Sequence, residues 1–387
     1  MGLLRLFLAI SVVITHTKPL FGLELMRGDI AVTLFFIISG FYMSMVMSSK
    51  YDGCNRTLFF YSNRALRLYP AYAIALLLTA IVFIVAEYQP GAPEKATLVT
   101  EIQKRFSGGH GDLGIVSLLV MIVPNLVIFG SDLVYLFHYN VQAGWTFTWG
   151  VLPPTPDAVR GGGYLLIGPA WSIGIELWFY LLVPVISRAR TWMIVLLAVL
   201  SLVLRLSMET WHEWSTYFVF PAALCFFLYG MLAHRFWASS FFKEISARNM
   251  WAIALIGMFL LMAREFIPGY RNYPGPVYAV MALSLPFIFE AFKAMPWDRW
   301  IGNLSYPVYL VHTAVLSAVH NYIGDLSPLL IVSGTMALSV AINFLVEEPL
   351  ERYRQRRTAR HFSANFAPLL QTEAALGGAK IDRLPGR

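Results

Sequence analysis

Charge is what this sequence has least of. Only 13% of its 387 residues are Asp, Glu, Lys or Arg, against roughly 25% in a soluble domain. So few charges cannot cover a water-facing surface of ordinary size, which excludes a conventional soluble enzyme. Cysteine is nearly absent as well. Cys54 falls in a basic loop and Cys225 inside an apolar run, so no disulfide framework is suggested. Metal-ligand spacings are missing: there is no paired CxxC, no HExxH and no Asp-rich cluster. No Walker or dinucleotide-binding glycine pattern occurs, and neither does a low-complexity tract or a clear repeat. The N-terminal stretch Leu6–Ile14 lacks a small-x-small cleavage site and runs into Thr15-His16-Thr17-Lys18-Pro19, so it reads as a retained first helix.

Apolar residues are what the chain has most of, at 58%, with aromatics at 15%. Several runs reach the roughly 20 residues a membrane-spanning helix requires. They are Leu3–Leu20, Ile30–Ser48, Leu68–Ala86, Ile115–Phe137, Gly168–Ile186, Trp192–Ser207, Phe218–Arg235, Met250–Phe266, Pro276–Phe292, Ile301–Ile323 and Leu326–Val346. Pro/Gly-rich turns separate some of them, notably Gln89–Pro93, Ser107–Gly111 and Val151–Gly163.

Loop charge decides which runs cross. If Ile115–Phe137 spans, the Arg352–Arg360 tail and the loop carrying Lys50, Arg56 and Arg64 fall on opposite faces, against the positive-inside rule. If it does not, ten spans remain. Arg64, Arg67, Arg188, Arg190, Lys243, Arg248, Lys293, Arg299 and the tail then share the cytoplasmic face, with Glu24, Glu209, Glu213 and Asp325 outside. Pro124-Asn125 and Gly130-Ser131-Asp132 interrupt the excluded run, which fits a re-entrant or interfacial piece within an outer excursion from about Glu87 to Pro169. The sequence therefore predicts an all-α, polytopic transmembrane helix bundle with both termini cytoplasmic. Residues 1–354 form the membrane domain, and 355–387 a basic, disordered cytoplasmic tail. The net charge of +7 is read as basic cytoplasmic loops rather than as the footprint of a nucleic acid or other acidic partner.

Ionisable groups inside apolar helices cost at least ~2.5–3.5 kcal/mol each and mark function. Arg5 and His16 are eleven positions apart, so they share a helix face about 16 Å apart along the axis. Glu176 lies in Trp171-Ser172-Ile-Gly-Ile-Glu176, at a depth comparable with His16. Arg64 and Arg67 share one face of the third helix at its cytoplasmic start, a pattern that suits a phosphate-rich ligand and equally an inside-positive anchor. Ser305, Tyr309 and His312 make a polar stripe in a helix that otherwise needs none, and Glu347-Glu348-Pro349 ends the last helix near arginines. Packing roles for His16, Glu176 and His312 fit the spacing as well as catalytic ones do.

Together these motifs resemble the bacterial membrane-bound acyltransferase 3 family, which acylates sugars and other hydroxyl acceptors. Arg5 and His16 resemble its Arg-x10-His signature, and Phe35-Phe36-Ile-Ile-Ser39-Gly40-Phe41 its FFxxSGF segment. Arg64-x-x-Arg67 with Tyr69-Pro70, Trp171-Ser172-x-x-x-Glu176 with Phe179-Tyr180, and Ser305-Tyr306 with Tyr309, His312 and Glu347-x-Pro349 follow in the family's order. Thr33 stands where many members carry Asp, which puts any Asp-dependent step there in question.

The resemblance implies an acyltransferase of the bacterial inner membrane with no permanently bound cofactor. Acyl-CoA, most simply acetyl-CoA, is the implied donor, and a hydroxyl of a surface glycan or glycolipid the acceptor. It implies His16 as general base with Glu176 orienting it and Arg5 alongside. Arg64 and Arg67 would take the CoA phosphates, and Trp171, Ser172, Tyr309 and His312 the acceptor. The alternative from the residues alone is a proton-coupled transporter or flippase, since buried His/Glu/Arg sets serve transport too.

Overall fold

A computed structural model describes residues 1–22, 24–51, 57–88, 115–140, 144–148, 158–212, 215–324 and 327–359. The turns at 89–93 and 107–111, the first part of 151–163, and Cys54, Arg56, Glu213, Asp325 and Arg360 lie outside the described residues.

The chain is a bundle of helices: α1 (Gly2–Thr15), α2 (Gly28–Lys50), α3 (Thr57–Glu87), α4 (Ile115–Val127), α5 (Ala170–Ile186), α6 (Thr191–His212), α7 (Phe220–Trp237), α8 (Ala247–Met262), α9 (Pro274–Phe292), α10 (Pro296–Tyr322) and α11 (Pro328–Ile342). Proline opens α7, α9, α10 and α11 within their first two positions, where its missing N–H has no intrahelical partner to lose. Among the described residues, α2, α3, α6, α9 and α11 with its extension are long and apolar enough to cross a membrane. Helices α1, α5 and α8 are apolar but shorter.

The bundle is helical as the sequence predicts, with one addition. A small antiparallel sheet of order β2-β1-β3 sits in the excursion, from β1 (Phe137–Asn140), β2 (Gly144–Phe147) and β3 (Val159–Arg160). Tyr139 packs there with Met121 of α4 and with Tyr164, so the sheet seats on that helix.

Two helix boundaries differ from the hydropathy runs in ways that matter. α1 stops at Thr15 rather than Leu20, because Pro19 offers no backbone donor to continue it, and His16 is the C-cap at φ −92°, ψ 4°. α3 begins at Thr57 rather than Leu68, so Arg64 and Arg67 lie roughly two and three turns inside the helix instead of opening it. Hydropathy misses those turns because they are polar. They are helical because the C-terminal helix packs on them: Arg357 donates to Asn63 Oδ1 at 3.0 Å and Ser62 Oγ at 2.9 Å, and lies over the Phe59 ring at 4.6 Å. After a π-helical turn at Asn343–Glu347 the helix runs through Ala359, so the stretch just beyond residue 354 is helical rather than disordered tail.

Among the described residues α4 covers 13 positions, about 20 Å of helix against the roughly 30 Å hydrocarbon core. Ile128, at φ +64°, and Gly130, at φ +84°, turn the chain back after it. A β-branched residue in the left-handed region is strained, and the neighbourhood holds it there. Tyr72 and Tyr69 of α3 donate to the carbonyls of Asn125 and Val127, and the Asn125 side chain bonds Met121 O at 2.8 Å, Tyr164 O at 3.0 Å and Leu166 N at 2.8 Å.

Candidate active site

α1 and α10 lie side by side, run in the same direction and are tied at both ends. At one end Asp298, in the first turn of α10, accepts the N–H groups of Gly2 at 2.7 Å and Leu3 at 2.9 Å and ion-pairs the Met1 amine at 2.6 Å. The helices touch through glycine: a Cβ on Gly2 would lie 1.6 Å from the Asp298 carbonyl oxygen, and one on Gly302 2.8 Å from the Gly2 Cα. At the other end the His16 and His312 rings stack, with centroids 5.5 Å apart and planes at 25°. α2 crosses α7 just as closely, since a Cβ on Gly40 or on Gly230 would meet the opposing backbone carbonyl at 1.9 Å. The Ser39-Gly40 pair thus permits the close helix approach expected of it.

Helices α1, α2, α3, α5, α9 and α10 and the C-terminal helix line a cavity of about 580 Å³. One end is cationic, lined by Arg5, Arg64, Arg67, Lys293, Arg299 and Arg354. Arg64 lies over the rings of Phe60 at 5.5 Å and Tyr180 at 5.9 Å, and its Nε has no hydrogen-bond partner among the described residues. The carboxylates whose field reaches Arg67 are chiefly Glu347, the last residue of the π-helical turn, and Glu351. Further in, Glu176 Oε1 accepts the hydroxyls of Ser39 and Tyr180, each at 2.5 Å. The far end closes on Ser172 and Tyr309, whose hydroxyl oxygens are 2.6 Å apart and lie 3.0 and 3.1 Å from Pro169 O. Three contacts share two hydroxyl protons there, so the pair can pass a hydrogen bond between its members.

Behind Tyr309 stand the imidazoles. His312 is fully buried, and its Nδ1 lies 2.8 Å from the Tyr309 carbonyl. A carbonyl only accepts, so Nδ1 carries the proton and Nε2 keeps its lone pair. That Nε2 has no partner among the described residues. His16, by contrast, is exposed at the end of α1.

The residues singled out in the sequence divide accordingly. Arg5, Arg64, Arg67, Glu176, Ser172 and Tyr309 line one cavity. His16 and His312 lie next to it, with the His312 ring 6.0 Å from that of Tyr309. Arg5 and His16 do not open onto the same space, because α1 ends before His16 and the ring leaves the helical phase. Trp171 packs into a row of rings, on Phe218 at 4.9 Å and Tyr217 at 5.8 Å. Glu176 does not meet His16. One turn along α5 from Ser172, its carboxylate accepts from Ser39 of α2 and from Tyr180 of α5 itself, and the group against His16 is His312. Lys293, Arg299 and Arg354 line the cavity although their sequence context gave them only a topological meaning as loop and tail charges.

The excursion adds a buried acid outside the helices. Asp132 has no exposed surface and sits against Gly174, where a Cβ would lie 2.9 Å from Oδ1. Burial raises its carboxyl to about 7, against the smaller opposing pull of the Asp132 and Leu133 backbone N–H groups and the Trp178 indole.

Comparison with known proteins agrees with this architecture. Residues 1–348 match the acyltransferase 3 family, described as an acyltransferase domain. Nodulation protein 10 of Rhizobium leguminosarum bv. viciae is 23% identical over 93% of this chain and 95% of its own length. Protein 2 in the picA locus of Rhizobium radiobacter is 28% identical over 44% of this chain and 71% of its own. The O-acetyltransferase OatA of Staphylococcus aureus is 23% identical over 82% of this chain but only 50% of its own length. No solved structure matches the chain. With the family match running from α1 to the end of the π-helical turn, over every helix that walls the cavity but the C-terminal extension, the chain belongs to the acyltransferase 3 family of membrane acyltransferases.

Proposed function

We propose that this protein is an O-acyltransferase that moves an acyl group, acetyl in the simplest case, from acyl-CoA to a hydroxyl of a surface glycan or glycolipid. Ten spans in the bacterial inner membrane, with both termini cytoplasmic, place the cationic mouth on the side where CoA is found; loop charge supports that orientation. The observation that carries the reading is the polarity of the cavity, open on arginines and closing on the Ser172–Tyr309 pair beside His312 and His16. Guanidiniums match phosphate oxygens in bidentate geometry. Likeness to an O-acetyltransferase supports oxygen as the acceptor atom.

In this reading the acceptor oxygen attacks the thioester carbonyl and His16 takes its proton. The C–O bond forms, the C–S bond breaks, and the imidazolium returns the proton to the leaving thiolate, giving an ester and free CoA. His312, stacked on His16, fills the orienting place the sequence assigned to Glu176, and its fixed tautomer leaves Nε2 free to accept a hydrogen bond. Glu176 acts through Ser39 and Tyr180, shaping the polar belt past which the donor arm runs, and Ser172 and Tyr309 face the thioester.

Thiol release tests the proposal. Purified protein in detergent is given acetyl-CoA with and without a glycan acceptor, and released thiol and acylated product are measured together. Matching amounts of both support the reading. Acceptor binding with no thiol release under any condition sinks it in favour of a transporter. Loss of O-acetyl groups from cell-surface glycan on deleting the gene identifies the acceptor.

A further inference from the structure

The six cations of the cavity are not at one depth and do not come from one wall. Arg5, Arg64 and Arg67 are partly buried inside it, whereas Lys293 and Arg299 are exposed at its mouth. Arg64 and Arg67 stand on α3, which packs on α10 and α5. Lys293 follows the end of α9, which packs on α2, α7 and α8. The two mouth residues flank the Pro296 turn, so a short rigid link holds them together.

Their counter-charges leave them free to act. Lys293 pairs with Glu290 at 2.8 Å, and the other oxygen of Glu290 takes the Trp237 indole N–H at 2.8 Å. An ammonium has three donors, so two remain. The neighbouring acid, Asp298, is spent on the start of α1. Arg299 forms no ion pair among the described residues.

An acyl-CoA donor is a linear molecule with two separate phosphate centres. A monoester sits on the adenosine 3′ oxygen at one extremity, a diphosphate links the adenosine to the pantetheine arm, and the thioester is at the other extremity. With the thioester at Ser172 and Tyr309, the diphosphate falls among the inner arginines and the 3′-phosphate at the mouth. We propose that Lys293 and Arg299 form a dedicated 3′-phosphate site, distinct from the Arg64–Arg67 pair. The assignment rests on the acyl-CoA reading above and adds to it the selection of CoA over its dephosphorylated form. A phosphate monoester carries close to two charges at neutral pH and several acceptor oxygens, which the two remaining donors of the Lys293 ammonium and the Arg299 guanidinium can engage.

The test compares acetyl-CoA with acetyl-3′-dephospho-CoA in the thiol-release assay. Wild type is expected to show a KM about tenfold or more lower for acetyl-CoA, the scale of a charge-assisted contact. The Lys293→Ala/Arg299→Ala variant loses that advantage: its KM for acetyl-CoA rises to the dephospho value, while the two proteins converge on the dephospho donor. Arg67→Ala raises KM for both donors. Lys293→Arg/Arg299→Lys, which keeps the charges, retains the preference and shows that the alanine result is not misfolding. Equal wild-type use of both donors overturns the assignment while leaving the donor reading intact, as does an alanine penalty that persists in full with the dephospho donor. Absence of thiol release from either donor overturns the donor reading and this site with it.

Discussion

The two ends of the cavity are built on opposite plans. The cationic end is a set of long-stemmed charges around open space, with a bare guanidinium nitrogen on each of Arg64 and Arg354 and carboxylates set back at Glu347 and Glu351. The imidazole end is short, rigid and internally bonded, with Ser172, Tyr309 and His312 locked to one another and to backbone carbonyls. The first plan suits holding a charged ligand that comes and goes, and the second suits holding reacting atoms still. Substitutions at the first end should therefore act on binding and at the second on turnover.

The largest effect is expected from His16→Ala, which should lower turnover by ~10²–10⁴-fold, the usual contribution of a general base, with insertion and melting temperature unchanged. A variant that turns over normally would leave the imidazole end without a catalytic role. His312→Asn keeps a donor for the Tyr309 carbonyl but removes the Nε2 lone pair. A fall of roughly tenfold or more in kcat is expected, and the same KM shift in place of a kcat shift would erase the contrast between the ends. Arg67→Ala should raise the KM for the acyl donor about tenfold with a smaller change in kcat. An effect confined to kcat would move Arg67 to the other side of the comparison.

Two smaller effects sharpen the comparison from outside the cavity. Gln at Glu176 can still accept from Ser39 and Tyr180, so Glu176→Gln should cost less activity than Glu176→Ala. Equal losses would mean that the charge itself acts. Asp132 gives a pH signature. Its folded carboxyl stays protonated to about 7 while the unfolded group ionises near 3.8. Between those values the folded state holds the extra proton, so stability falls as pH rises through the window and levels off above it. Asp132→Asn should abolish that slope in melting experiments across the same range and leave the protein more stable at alkaline pH.

Much of this was written in the sequence because membrane energetics are strict. A charge in an apolar run is costly, so Arg5 and Glu176 stood out, while Arg64 and Arg67 were marked by their spacing on one helix face, and all four line one cavity. What hydropathy could not supply was which buried polar group meets which. Hydropathy put Glu176 and His16 at a comparable depth, yet Glu176 lies a turn short of the Ser172–Tyr309 pair and accepts from Ser39, whereas His16 stacks on His312 beyond it. The polar first turns of α3 were invisible because a helix held by Arg357 and Asn63 has no apolar signature. Lys293 and Arg299 were hidden in plain view: loop charges are abundant near membranes, and only tertiary structure separates those facing a cavity from those facing solvent.

The paired glycines at Gly2 and Gly302 have one more effect. From the Gly2–Asp298 contact to the His16–His312 stack, each helix advances fourteen residues, about 21 Å. Two parallel rods pinned at both ends make a fixed calliper. The span between the anchoring end and the reacting end is then set by helix rise rather than by side-chain reach. A donor whose arm is too short would dock normally and still fail to react, making length itself a selected property.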